Sequence, residues 1–415
     1  MDARDPLAQY REQFHFPKAP DGSDSVYLCG NSLGLQPKNA REYVEQELED
    51  WKSLGVEAHF RGRHPWLSYH RTLTDQTARL VGAKPVEVVE MNTLTVNLHL
   101  MMVSFYRPTK ARYKIIVEGG AFPSDQYAIK SQIAFHGFDP ATALIELTPR
   151  PGESLLRDED IHAAIEREGP STALILLGGV NYSTGQAFDL AGIARAGHTR
   201  GCVVAFDLAH AAGNLVLQLH DADVDFAVWC SYKYLNGGPG CTAGCFVHER
   251  HAQRMDLPRF AGWWGHDENT RFRMGPEFHP MRGAEGWQLS NPPILALAAL
   301  RASMELFDRA GMEALRGKSV SLTGYLEFLL DQKGLDHQGK AAVSIISPRN
   351  PEWRGSQLSL SIRGHGREIV DRLRERGVVC DWREPDILRV APAALYNSFT
   401  DVFRFVEILA QVLGR

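Results

Sequence analysis

The chain has 415 residues, 44% of them hydrophobic and 23% charged, with a formal net charge of -5 at pH 7. That length accommodates one large α/β domain and a smaller one, with a core that needs neither disulfides nor a structural metal. The acidic balance excludes a nucleic-acid binder of the ordinary basic kind, so positive potential is expected only locally, around a small anionic ligand.

The opening residues, Met1-Asp-Ala-Arg-Asp-Pro6, lack an apolar segment and do not read as a signal peptide. Residues 1–45 precede the first long helix of the large domain and are expected to pack on the smaller one. Beyond them, short β-branched runs alternate with helical patterns, as in βαβ units built on a mainly parallel sheet. The predicted strands are 113–117, 143–147, 173–177, 202–206, 226–230 and 244–248, and the predicted helices 158–167, 190–199 and 293–310. Asp158 is expected to cap its helix, with Asp160 making the first turn negative. Apolar runs such as 173–177 are too short to span a bilayer.

After Gly311 the pattern changes to a helix at 313–332, strands at 342–346 and 357–362, a helix at 367–376, a short strand ending near Val390 and a final helix at 400–413. This reads as a smaller α/β sandwich. The expected division is therefore 46–310 for the large domain, and 1–45 with 311–415 for the small one. The six cysteines are scattered without a CxxC pair, which fits a reduced, cytoplasmic setting. Cys241 and Cys245 lack partners at zinc spacing, and His248 and His251 read as solvated surface, so no metal is expected.

Chemistry concentrates in Cys230-Ser-Tyr-Lys-Tyr-Leu-Asn236, followed by Gly237-Gly-Pro-Gly240. Lys233 falls just past a buried strand, where ligands of open α/β sheets gather, and a lysine held there is a nucleophile toward carbonyls. In Ala205-Phe-Asp207-Leu-Ala-His210 an aspartate ends the preceding strand. Pyridoxal phosphate (PLP) requires this pair: a lysine for its aldehyde and a carboxylate for its pyridine nitrogen. Asn92-Thr-Leu-Thr-Val-Asn-Leu-His99 leads small polar residues into a helix, an anion site with Leu94 and Thr95 as candidate phosphate contacts. Gly120-Ala-Phe-Pro-Ser-Asp125 offers Phe122 as a stacking surface and Asp125 as a hydrogen-bonding group. Taken singly, each has a plainer reading: a surface lysine, a helix cap, an ordinary turn.

Together these residues resemble the fold-type I PLP enzymes, and among them the kynureninases. The resemblance runs from Tyr27-Leu-Cys-Gly-Asn-Ser-Leu-Gly-Leu-Gln-Pro37 to Leu388-Arg-Val-Ala-Pro392 and Leu395-Tyr-Asn-Ser398. It includes Gly262-Trp-Trp-Gly-His266, Leu289-Ser-Asn-Pro-Pro-Ile294 and Lys318-Ser-Val-Ser-Leu-Thr-Gly-Tyr325. It implies a homodimer that hydrolyses the Cβ–Cγ bond of L-kynurenine or 3-hydroxykynurenine in tryptophan breakdown, releasing L-alanine.

By the same resemblance Lys233 is the Schiff-base lysine, Asp207 the partner of the pyridine nitrogen, and Tyr232 a phosphate-bound tyrosine that relays protons. Leu94, Thr95, Phe122, Pro123, Ser124, Asp125 and His210 contact the cofactor, while Trp263 and Asn291 reach its phosphate across a dimer interface. Arg389 clamps the substrate carboxylate, and His59, Ser32 and Asn291 surround the aryl group. One further phosphate contact is expected within 178–184. The choice of Trp263 over Trp264 rests on the Gly-Trp-x-Gly-His frame. The enzymatic rival is a cysteine desulfurase, which needs a mobile thiol well past its lysine; no cysteine lies between Cys245 and Cys380. The non-enzymatic rival is a scaffold that binds ligand without turnover.

Overall fold

The β-branched runs enter two larger sheets and one two-stranded pair in the computed structural model, which describes residues 1–336, 343–364 and 366–414. The first strand, β1 (Val26–Tyr27), pairs in parallel with Val378–Val379 near the other end of the chain. The large sheet contains β2 (Val88–Met91), β3 (Lys114–Glu118), β4 (Leu144–Leu147), β5 (Thr172–Gly178), β6 (Val203–Asp207), β7 (Phe226–Cys230) and β8 (Ala243–Val247). Their order is β2-β8-β7-β6-β5-β3-β4, and β8 alone runs against the others.

Alternation along each strand divides the core in two. In β5, Leu174 and Leu176 join the layer that includes Leu98 and Ile129, whereas Ile175 and Leu177 join the layer with Ile161, Ile193 and Leu297. Helices on both faces of a parallel sheet demand such two-sided apolar strands. Each fully buried aliphatic chain of this kind contributes roughly 1.5–3 kcal/mol. Gly244 is required by close approach: a Cβ there would lie 1.9 Å from the Trp229 indole.

The smaller sheet is built from β9 (Val343–Ile345) and β10 (Leu358–Ile362), then, beyond β11 (Val378–Val379), from β12 (Asp381–Arg383) and β13 (Ile387–Val390). Its order, β12-β13-β10-β9, is antiparallel throughout. The helices Met312–Gln332 and Phe399–Val412 pack together and share an apolar core with this sheet. Ser398 and Asp401 form a capping box at the start of the last helix, and Arg11 pairs with Asp401 at 2.6 Å. Asp5 binds Lys318 at 2.8 Å, so the N-terminal segment is tied to the C-terminal part of the chain. Helix Ala40–Leu54 runs unbroken through residues 45 and 46 and packs along Ile294–Ala310.

The predicted helix 190–199 and strand 226–230 coincide with Leu190–Thr199 and β7, and the other predicted elements are offset by one or two residues. Residue 342, the predicted start of β9, lies outside the described residues. Asp158 is the first helical residue and not its cap, which is Arg157, although the first turn is acidic as expected. β2 was not anticipated, because Glu90 interrupts its apolar run. His248 and His251 are buried, correcting their reading as solvated surface. The buried Asp225 carboxylate takes His251 Nε2 at 2.8 Å and His198 Nε2 at 2.9 Å, and the His248 ring stacks on His220. All six cysteines are free thiols. Among the described residues no helix is long and apolar enough to cross a membrane.

Candidate active site

Three parallel strands end on one cavity: Glu118 closes β3, Gly178 closes β5 and Asp207 closes β6. The segment after β7 adds Tyr232 and Lys233. This is the carboxyl edge of the sheet, where ligands of open α/β folds bind. The cavity measures about 590 Å³ and is also lined by Leu94, Thr95, Phe122, Ser124, Asp125, Val180, Tyr182, Ala209 and His210.

Backbone hydrogen bonds hold the lysine loop. Asn236 N donates to the Lys233 carbonyl at 3.0 Å, Gly237 N to Ser231 at 2.8 Å, and Gly34 N to Tyr232 at 2.9 Å. A Cβ at Gly34 would lie 2.4 Å from the Lys233 carbonyl, so the Gly30-Asn-Ser-Leu-Gly34 string braces this loop through its last glycine. Lys233 Nζ reaches to 2.9 Å from His210 Nε2 and lies 5.7 Å from the centre of the Phe122 ring.

The cavity floor is rich in carboxyl groups. Asp207 Oδ1 accepts from Ala209 N at 2.7 Å. Burial raises the Asp207 pKa, opposed by that N–H and by the Lys233 charge. Burial pushes Asp125 well above the ordinary carboxylate range, and the neighbouring Asp207 pushes it further, so Asp125 keeps its proton and donates to Asp207. Glu118 is raised to about 7, chiefly by burial. His210 is held neutral, first by burial and then by the charges of Lys233, Arg389 and Arg383. Burial and the Cys230 thiol raise the Tyr232 hydroxyl, so it stays protonated.

An anion cradle stands at another wall. Helices Leu94–Phe105 and Pro123–Phe135 both begin here, and Thr95 Oγ1 and Ser124 Oγ share a hydrogen bond of 2.9 Å. No side chain caps either helix, which leaves first-turn N–H groups available to an anion. Pro123 occupies the first turn without lining the cavity, where its missing N–H costs nothing.

These residues fit pyridoxal phosphate. There is an amine for the aldehyde, a buried carboxylate for the ring nitrogen, an aromatic face at Phe122 and a cradle for the phosphate. His210 Nδ1 is buried without a partner, an open hydrogen-bonding position beside the lysine.

Leu94, Thr95, Phe122, Ser124, Asp125, Asp207, His210, Tyr232 and Lys233 are thus brought together, whereas Pro123 and five other predicted residues do not line the cavity within one chain. Trp263 is 44% exposed, while Trp264 is buried beneath the Arg271 guanidinium. Asn291 is exposed on a loop that is joined to the tryptophan pair by Trp264 N donating to the Leu289 carbonyl at 3.0 Å. His59 packs edge-on against Trp66, with Nδ1 3.0 Å from the Val56 carbonyl. Ser32 N donates to the Cys29 carbonyl at 3.0 Å, in the turn before Gly34. Arg389 is buried and donates to the Tyr182 carbonyl at 2.8 Å and to Asp381.

The segment expected to hold a further contact contributes Gly178, Val180 and Tyr182 to the cavity. Glu118 and Tyr182 were missed by sequence reasoning. A glutamate ending a predicted strand one residue late was the available signal for the first. An isolated tyrosine in a loop gave none for the second.

The chain is 69% identical over 407 residues to a kynureninase of Koribacter versatilis, covering 98% of this chain and 95% of that protein. The chain belongs to the kynureninase family. A kynureninase of Myxococcus xanthus is 65% identical, with 99% of this chain and 95% of that protein covered. A family profile for the kynureninase C-terminal domain matches residues 315–409. Among solved structures, the cysteine desulfurase CsdA of Escherichia coli superposes with a TM-score of 0.78 at 20% identity, covering 98% of each chain. A cysteine desulfurase of Thermococcus onnurineus gives 0.78 at 16%, covering 99% of each. At that identity the likeness establishes the fold alone, the fold-type I PLP-dependent class. Kynureninase membership, by contrast, rests on identity along almost the whole chain.

Proposed function

We propose that this kynureninase-family chain uses pyridoxal phosphate to hydrolyse the Cβ–Cγ bond of L-kynurenine, giving anthranilate and L-alanine. The observation that carries it is the convergence of Lys233, Asp207 and the Thr95–Ser124 cradle on one cavity. The bound cofactor supplies an electron sink for the carbanions of bond cleavage. Asp207 keeps a proton on the ring nitrogen, which maintains that sink. Lys233 would hold the cofactor aldehyde, and its Nζ, when free, would take the substrate α-proton as general base. Neutral His210 accepts a hydrogen bond from Nζ and keeps the lysine oriented. Tyr232, protonated at the cavity wall, is the acid that serves hydration of the aryl ketone and protonation at Cβ. Arg389 grips the α-carboxylate through its planar fork.

Trp263, Asn291, His59 and Ser32 belong to this proposal as residues of a dimeric site, Trp263 and Asn291 reaching the phosphate of a second copy and His59, Ser32 and Asn291 the aryl group. The exposed indole of Trp263 supports that reading. The division into 46–310, and 1–45 with 311–415, and a cytoplasmic location are part of it too. A desulfurase is disfavoured because Cys380, the thiol well past the lysine, is buried with its pKa raised by that burial. The test is product analysis on PLP-loaded protein: fluorescent anthranilate and an equal amount of alanine from L-kynurenine support the proposal. Sulfide from cysteine without anthranilate overturns it.

A further inference from the structure

Asp381 and Arg389 are direct partners across the antiparallel pair β12–β13, so their side chains leave the same face of the sheet. Asp381 Oδ2 accepts from Arg389 Nη2, and its Oδ1 accepts from Arg383 Nη1 at 2.8 Å. The other terminal nitrogen of Arg389 donates to the Tyr182 carbonyl at 2.8 Å, and Tyr182 lines the Lys233 cavity. That carbonyl also accepts from Gln357 Nε2 at 3.0 Å. The guanidinium is therefore pinned by a carboxylate on the neighbouring strand and by the cavity wall itself.

Two features leave it with unmet capacity for an anion. Arg389 Nε is buried without a partner, although a guanidinium has five N–H donors to offer. Two arginines also share one carboxylate, so one positive charge remains among the three side chains, the complement of a single anionic group. A freely moving aspartate would compete with a substrate carboxylate. Asp381 is fixed by strand register and by Arg383, so it aims the fork instead of closing it.

We propose that Asp381 is the positioning residue of the substrate-carboxylate site. It orients Arg389 and shares its charge between Arg389 and Arg383, and recognition of the α-carboxylate depends on it without contact to the substrate. This rests on the reading of Arg389 as the carboxylate clamp.

The test uses full-length, PLP-loaded protein carrying Asp381→Ser, Arg389→Gln or both. It measures kcat and KM for L-kynurenine and the inhibition constant of its decarboxylated analogue, with thermal melting as a check of folding. Asp381→Ser is expected to raise KM about 10-fold, the scale of one charge-assisted hydrogen bond, and to leave kcat nearly unchanged. The analogue, lacking the carboxylate, keeps its affinity, and adding Asp381→Ser to Arg389→Gln raises KM no further. A KM that rises in Arg389→Gln but stays level or falls in Asp381→Ser overturns the positioning role alone. Equal weakening of the analogue also overturns it, because general damage explains both losses. An unchanged KM in Arg389→Gln overturns the clamp beneath it. If Asp381→Ser fails to fold, the nearly isosteric Asp381→Asn is read by the same criteria.

Discussion

Lys233 Nζ lies 2.9 Å from His210 Nε2. The Lys233 ammonium can only donate, so Nε2 of the neutral His210 ring accepts and the ring proton sits on Nδ1, which is buried and unpartnered. Asp207 stands three positions earlier, at the end of β6. One turn after one strand therefore delivers both a carboxylate for the far side of a heterocycle and an acceptor that aims the lysine.

Lys233→Ala removes the only amine that lines the cavity among the described residues. Turnover is expected to fall by about 10³-fold or more. The visible absorbance of lysine-bound cofactor is lost while the melting temperature of the cofactor-free protein is unchanged. Steady-state kinetics with an absorption spectrum check this, and retained activity contradicts the role.

Much of this site was legible in the sequence because strand ends are legible. An apolar run that stops at Asp207, and another that stops three residues before Lys233, put both groups at the same sheet edge once the strands are parallel. Glu118 was placed just outside a predicted strand, so it was not seen to close β3 on the cavity. The Arg389–Asp381 pairing needs the register of a hairpin, which periodicity does not supply. Glu90 broke the pattern of β2 for an energetic reason: a carboxyl buried in the sheet with only hydroxyls such as Thr77 and Ser231 to donate to it stays neutral, and sequence rules count it as charged.

Asp207→Asn keeps the shape of the side chain and removes its charge. The ring nitrogen then loses its counterion in a buried setting, a loss on the order of 3 kcal/mol, or about 10²-fold in kcat. Cofactor is still taken up. Measuring kcat at saturating cofactor checks this, and a change confined to cofactor affinity contradicts it.

Thr95→Ala and Ser124→Ala each remove one hydroxyl of the cradle. Each is expected to weaken PLP binding by about 10-fold, one hydrogen bond to a charged group. Absorbance titration of cofactor into apo-protein reads this directly. Unchanged dissociation constants in both variants place the phosphate elsewhere.

Glu90 is fully buried in β2, and burial moves its carboxyl from 4.5 up to about 8. The folded chain keeps a proton that the unfolded chain releases, so the contribution to stability is complete below pH 4.5 and is lost as pH rises through about 8. Glu90→Gln removes this dependence. At about pH 8 the variant is expected to melt above the parent, and the difference shrinks toward about pH 5. A difference independent of pH contradicts the buried neutral carboxyl.

The most direct measurement is borohydride reduction of PLP-loaded protein, followed by peptide mass mapping. A single phosphopyridoxyl group is expected on the peptide carrying Lys233. The same label on another lysine, or active protein that takes no label, would contradict it.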